Sequence, residues 1–315
     1  MSAAGTRSPA SGSGRDTYGS KIHVYEPHKA SLPPLRPYLR ELWNRRRFAY
    51  ELSRTTQKAN HFDSPLGALW LVLNPMLLGF VYFLLISVLS GGVGDWPATL
   101  GRILIGIFTW YYASNSMNLG SASITAGGKL ILNQAFPRAL LPLSSVISAL
   151  LMYLPTIPVY IIYYVIASNF DHYEPPPGDV APNAAAHHLP GLDNPALLYY
   201  PLLIAILTVE CYGLAMIFAT MTVYFRDTSK FLGYFLRIWL YLTPVLYDVS
   251  KLENHKWVLY LNPLGPIIGS VTRVWVDGIA PGPYMLLAAT GWAVIALLFG
   301  AYIFISRERD FAVRI

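Results

Sequence analysis

The sequence predicts an all-α integral membrane protein: six transmembrane helices, an N-terminal interfacial amphipathic helix, and a re-entrant hairpin between helices five and six. Three observations carry this. Hydrophobic residues make up 54% of the 315 positions and charged residues only 13%, where an ordinary soluble domain has about 25% charged. Six stretches are apolar for the roughly 20 residues that span a bilayer core: 66–90, 103–126, 139–168, 196–225, 231–247 and 284–305. The bases are also distributed unevenly along the chain. Eleven of the 23 Lys and Arg precede residue 64, and most of the others flank the apolar stretches. That is an orientation pattern rather than a nucleic-acid stripe, despite the net charge of +6.

Residues 1–33 are rich in Ser, Gly, Pro and Ala and contain no apolar signal-peptide core, so a disordered cytoplasmic tail is expected. From Leu35 a basic segment follows, with Leu39, Leu42, Trp43 and Tyr50 at helical spacing. Arg beside Trp suits the headgroup boundary, so 34–62 is expected to lie along the membrane surface or to pack on a partner protein.

The first span opens with Ser64-Pro65-Leu66-Gly67-Ala68-Leu69-Trp70 and carries Asn74-Pro75. A proline is tolerated there because neighbouring helices can satisfy the freed carbonyl. The second span holds Ser114, Asn115, Ser116, Asn118, Gly120, Ser121 and Ser123, which suits helix packing or pore lining better than lipid. The connector Lys129–Arg138 is short and amphipathic. In span three, Pro142, Pro155 and Pro158 predict a kink or two half-helices.

The loop 169–195 is Pro-rich and has acids but no Lys or Arg, which puts it outside. His172, His187 and His188 there have no fixed ligand frame, and no metal site is expected. With the N-terminus inside, 18 bases fall on the cytoplasmic side and four outside, and Arg237 lies within a span. Both termini are therefore expected inside. A seventh crossing would put Arg307, Arg309 and Arg314 outside, so 249–279 is read as the re-entrant hairpin, broken by Asn262-Pro263 and Gly265-Pro266.

Chemistry is sparse. No Gly-x-x-x-x-Gly-Lys-Ser/Thr occurs, so ATP phosphates have no cradle in this chain. There is no Ser-His-Asp arrangement, no H-E-x-x-H and no carboxylate pair within the spans. Cys211 is a single mid-span cysteine with no intrachain partner. Phe231, Phe235 and Trp239 recur at i, i+4 and i+8 on span five, with Tyr234 and Tyr241 adjacent, and Phe80 and Phe83 lie on span one. Rings of this kind pack on the C–H faces of sugars, or serve as lipid- or core-facing aromatics. Glu210 lies mid-span, and Arg237 is about 10 Å into span five. Intramembrane charges pair or face water, so a Glu210–Arg237 contact is expected.

The order of the Arg226-Asp227 turn, an aromatic helix, Thr243-Pro244-Val245-Leu246-Tyr247, a broken hairpin and Asn262-Pro263-Leu264 resembles the permease subunit of type-2 polysaccharide ABC exporters, the O-antigen and teichoic-acid group. The opening of span one and the 128–142 segment are similar to the same family, although the insertion-like 53–62 stretch departs from it. Within the family, the chain is most similar to permeases for actinobacterial cell-wall galactan. The resemblance implies a homodimer with two copies of an ABC ATPase, and ATP and Mg bound only by that partner. It implies a polyprenyl-diphosphate-linked glycan passing between aromatics of spans one and five, in the inner membrane. The connector becomes the ATPase coupling element, carried by Lys129, Leu130, Ile131, Asn133, Gln134, Phe136 and Arg138. A proton-coupled carrier using Glu210 would show two related halves, and none is seen. A membrane glycosyltransferase would need ordered acids, and Asp171 and Glu174 sit in a Pro-rich loop.

Overall fold

The longest helix, α4 (Trp96–Ala126), is the axle of the computed structural model, which describes residues 34–61, 67–89, 95–169, 189–246 and 256–314. The tail expected over 1–33, most of the loop expected over 169–195, its three histidines and two nominated acids, and the first part of the expected hairpin lie outside these residues. The described chain is helical and carries no strand.

The sequence sets where the helices stop. Asp95 accepts from the Ala98 N–H and Pro97 follows it, a capped start with proline in the first turn. At the other end Gly127 turns the chain: a Cβ there would lie 2.8 Å from Leu141 Cδ1 and 3.0 Å from the Ser123 carbonyl. α1 (Leu35–Asn44) and α2 (Arg46–His61) precede α3 (Trp70–Leu89), which contains Pro75. α5 (Gly128–Asn133) is the connector helix. Of the two outcomes open for span three, two half-helices are observed: α6 (Leu140–Tyr153) and α7 (Thr156–Ser168). Pro155 and Pro158 supply no N–H for the Leu151 and Leu154 carbonyls, which breaks the ladder there.

Next come α8 (Tyr199–Tyr224) and α9 (Thr228–Leu242), then α10 (Lys256–Leu261) and α11 (Gly265–Thr272), separated by Asn262-Pro263-Leu264. A π-helical turn, Arg273–Asp277, leads to Gly278 at φ 63° and on to α12 (Pro283–Arg307) and the terminal α13 (Phe311–Arg314). Among the described residues, four segments are long and apolar enough to cross a membrane: Trp70–Leu89, Leu140–Ser168, Pro195–Tyr224 and Pro283–Arg314. The stretches predicted as spans two and five became α4, which is long enough but polar in its second half, and α9, which has only 15 residues.

α8 is the second axle, packed on α4, α12 and α6. Gly213 and Gly300 let the α8 and α12 backbones meet, because a Cβ on Gly213 would overlap the Ala296 backbone and one on Gly300 the Gly213 carbonyl. The main core runs from Ile103 and Phe108 through Leu203 and Leu207 to Ile267 and Val271, all buried. A second cluster closes one end of the bundle, here the connector end, with Ile124, Ile131, Leu141, Met216, Phe304 and Phe311. The opposite end is tied by Arg102 to Asp277 at 2.8 Å, Tyr163 Oη to the Pro97 carbonyl at 2.6 Å, and Asn194 Nδ2 to the Gly278 carbonyl at 3.0 Å.

Candidate functional site: a gripped connector and an exposed ring face

The predicted coupling residues divide into two faces. Ile131 is buried in the connector-end cluster, with Leu130 and Phe136 packed at its edge. Lys129, Asn133 and Gln134 point away from the bundle together with Leu132, which is 67% exposed. Leu132 was absent from the sequence-based set and Ile131 was in it, yet the outward apolar group is Leu132. Its helical phase, shared with Lys129 and Asn133, is the signal that finds it. The Asn133 amide donates to the Lys129 carbonyl at 2.8 Å and closes the short helix.

Three parts of the chain hold the connector. From the N-terminal helices, Arg45 donates to the Ala135 carbonyl at 2.9 Å while paired with Glu41 at 3.1 Å, and Phe48 packs on Phe136 with centroids 5.5 Å apart. From α8, the Tyr212 hydroxyl donates to the Ala139 carbonyl at 3.1 Å. From the C-terminal segment, Glu308 accepts the Arg138 main-chain N–H at 2.6 Å, and the Arg138 guanidinium donates to the Glu308 carbonyl. Burial, and next the Glu308 carboxylate, push the Tyr38 phenol far above its ordinary range. Burial lowers the Arg138 guanidinium, and Glu308 offsets this. Arg138 is thus a structural bolt as well as a connector base. Nearby, the Tyr224 hydroxyl donates to Asp310 at 2.8 Å, and Arg307 and Arg314 flank its ring.

The same end carries the turn residues Arg226 and Asp227, both exposed, with Asp227 4.0 Å from Lys230. From this turn α9 rises, packing through Leu232, Leu236 and Leu240. Its other side presents Phe231 (63% exposed), Tyr234 (68%) and Tyr241 (57%), with Phe235 between them, stacked on Phe231. Tyr241 meets Tyr82 of α3 hydroxyl to hydroxyl at 3.0 Å, so the rings of α9 continue onto α3. There Phe80 is half exposed, whereas Phe83 packs against the core.

Two expectations are corrected. Trp239 does not share the exposed face: it is 9% exposed, packs edge-on against Trp110, and donates its N–H to Asn262 Oδ1 at 2.8 Å. Asn262 also gives its amide to the Leu242 carbonyl at 3.1 Å and Thr243 Oγ1 at 3.0 Å, and accepts from the Leu264 N–H. The Thr-Pro and Asn-Pro motifs are therefore halves of one knot that fastens the end of α9 to α11. Secondly, Glu210 and Arg237 do not meet. Glu210 is fully buried and neither carboxylate oxygen has a hydrogen-bond partner among the described residues, whereas Arg237 is exposed with its guanidinium 5.8 Å from the Tyr234 ring. Glu210 lies on the packed side of α8 near the α12 crossing, and Arg237 on the free side of α9, so helix facing rather than depth separates them.

Among the described residues no group of three or more metal-ligating side chains is assembled. The chain is 25% identical over 278 residues to the O-antigen export system permease protein RfbA of Myxococcus xanthus, covering 87% of this chain and 97% of the relative. It is 26% identical over 261 residues to the protein of that name from Klebsiella pneumoniae, covering 81% and 90%. The sequence profile of the ABC-2 type transporter family matches residues 50–276, which hold the gripped connector, the ring face and the Asn262 knot; the chain belongs to that family.

Proposed function

We propose that this chain is the channel-forming permease of an ATP-driven exporter that moves a polyprenyl-diphosphate-linked polysaccharide, of the cell-wall galactan type, out across the inner membrane. Two copies pair along α3 and α9 and enclose the path, and two ABC ATPase subunits dock on the outward face of α5 and supply ATP and Mg. The connector end is cytoplasmic, with both termini there, α4 and α9 complete a set of six crossings, and α10 and α11 form a re-entrant hairpin. The observation that carries this reading is the row of exposed rings on Phe231, Tyr234, Phe235 and Tyr241, continued onto α3 by the Tyr82–Tyr241 contact. Flat rings let sugar residues slide across many weak and equivalent contacts. The export relatives named above support the class of cargo.

The test is reconstitution with the neighbouring ATPase in proteoliposomes, following ATP-dependent appearance of lipid-linked galactan at the far leaflet. Export that falls in Phe231→Ala/Tyr234→Ala, with assembly and basal ATP hydrolysis kept, supports the path. Unchanged export in that variant removes it.

A further inference from the structure

A cavity of about 290 Å³ lies between the first turns of α3, the middle of α4 and the α6–α7 break, lined by Trp70, Asn74, Pro75, Tyr111, Asn115 and Tyr153 among others. It does not include the ring face of α9. It opens where α3 begins, since Trp70 is 43% exposed and Asn74 is exposed. At about 300 Å³ it is at the small end of ligand pockets, suited to a single ring rather than a chain.

Its lining combines spent and unspent hydrogen-bonding groups. Tyr112 gives its hydroxyl to Thr208 at 2.8 Å, Tyr153 shares one with Tyr200 at 2.5 Å, and Thr156 donates to the Tyr153 carbonyl at 2.7 Å. By contrast, the Asn74 and Asn115 side chains make no hydrogen bond among the described residues, and they reach the cavity from opposite helices. Pro75 has no N–H, so the Leu71 carbonyl lacks its helical i+4 donor, and both residues line the same space. Two side-chain amides without a protein partner, and a carbonyl without its helical donor, thus meet in a chain segment built for lipid, where unmet polar groups are costly.

The chemistry of the walls selects the occupant. No Lys, Arg, Asp or Glu lines the cavity, so a diphosphate or an anionic headgroup finds no counter-charge there. An acyl chain would leave both amides unmet. Rings of Trp70 and Tyr111 offer flat apolar faces beside amides that both donate and accept, a combination matched by an uncharged ring with C–H faces and hydroxyl edges.

We propose that this cavity is a subsite for one neutral sugar ring of the exported glycan, held by Asn74, Asn115 and the Leu71 carbonyl against Trp70 and Tyr111. The proposal rests on the export reading for the source of the sugar, and it places a holding point beside the path rather than on the α3–α9 ring face.

The experiment uses the full permease–ATPase complex in nanodiscs with a diazirine-bearing neutral galactose tetrasaccharide as photoprobe, read by peptide mass spectrometry. The expected result is label on the peptides containing Trp70–Pro75 and Tyr111–Asn115. That label is lost in Asn74→Leu/Asn115→Leu and undiminished by excess short-chain phosphatidylglycerol. Asn115→Ala alone, which changes less of the lining, should lower the same label several-fold. Label confined to α9, label unchanged in both variants, or label displaced by the lipid would each overturn the subsite. The export assay is read separately in the same preparations: export intact without cavity label leaves the export reading standing, while cavity label without export removes that reading and keeps a sugar site.

Discussion

α8 and α9 follow one another in the chain and are separated by a three-residue turn, yet they are built on opposite plans. α8 is buried on several sides: Leu203, Leu207, Cys211 and Ala215 are fully buried, and Gly213 brings its backbone against α12. α9 buries one stripe, Leu232, Leu236, Trp239 and Leu240, and leaves Phe231, Tyr234, Ile238 and Tyr241 bare. The comparison teaches that apolar content does not separate packed scaffold from bare surface in this family member. Side-chain size does: small residues mark where backbones meet, and large rings at an unburied phase mark a surface kept for something else.

The strongest way to break that contrast is at Gly213. Gly213→Leu has no space against Ala296, and we expect a loss above about 3 kcal/mol, visible as failure to recover monodisperse protein by fluorescence-detected size exclusion. A stable, monodisperse G213L protein would mean that the α8–α12 contact is not rigid.

Glu308→Ala removes the carboxylate that accepts from the Arg138 N–H. The cost is about 1–3 kcal/mol for a buried donor left unmet, measured by thermal melting. Because α5 keeps its outward face, ATPase docking should persist while ATP hydrolysis ceases to respond to glycan. Loss of docking would show instead that Glu308 shapes the partner surface itself.

Trp239→Phe should cost about 1 kcal/mol, since the Asn262 side-chain oxygen Oδ1 keeps the Leu264 N–H. A cost as large as that of Glu308→Ala would make the knot a principal hinge. The smallest stability effect is expected at Phe231→Ala, within about 0.5 kcal/mol, paired with a clear fall in export. A destabilisation above 1 kcal/mol would place Phe231 in a packed interface and blur the contrast.

Much of this architecture could be read from the residues. Proline positions marked where span three would kink or divide, and the Arg226-Asp227 turn marked the start of α9. The connector's amphipathic character was also legible; composition alone does not tell Ile131 from Leu132, but helical phase sets Leu132 with Lys129 and Asn133 and turns Ile131 toward the cluster of Phe304 and Phe311. Trp239 was misplaced because i, i+4, i+8 spacing drifts around a 3.6-residue helix, and the partner that claims its N–H, Asn262, lies 23 residues away. The Glu210–Arg237 pair failed for a related reason. α8 is apolar nearly all round, so its sequence has no polar stripe from which to read a facing. The grip of Glu308 on Arg138 spans 170 residues and leaves no local trace at all.

The length of α9 has a mechanical consequence. Its 15 residues reach about 22 Å, against roughly 30 Å of hydrocarbon. With α9 as a crossing element, the leaflets at the rim of the proposed α3–α9 pairing would be drawn together, at a cost of a fraction of a kcal/mol per ångström. Headgroups then sit deeper along this flank than elsewhere around the protein. Under the proposed export reading, a lipid-tethered cargo approaching there would meet a shortened greasy barrier before it touched a single side chain.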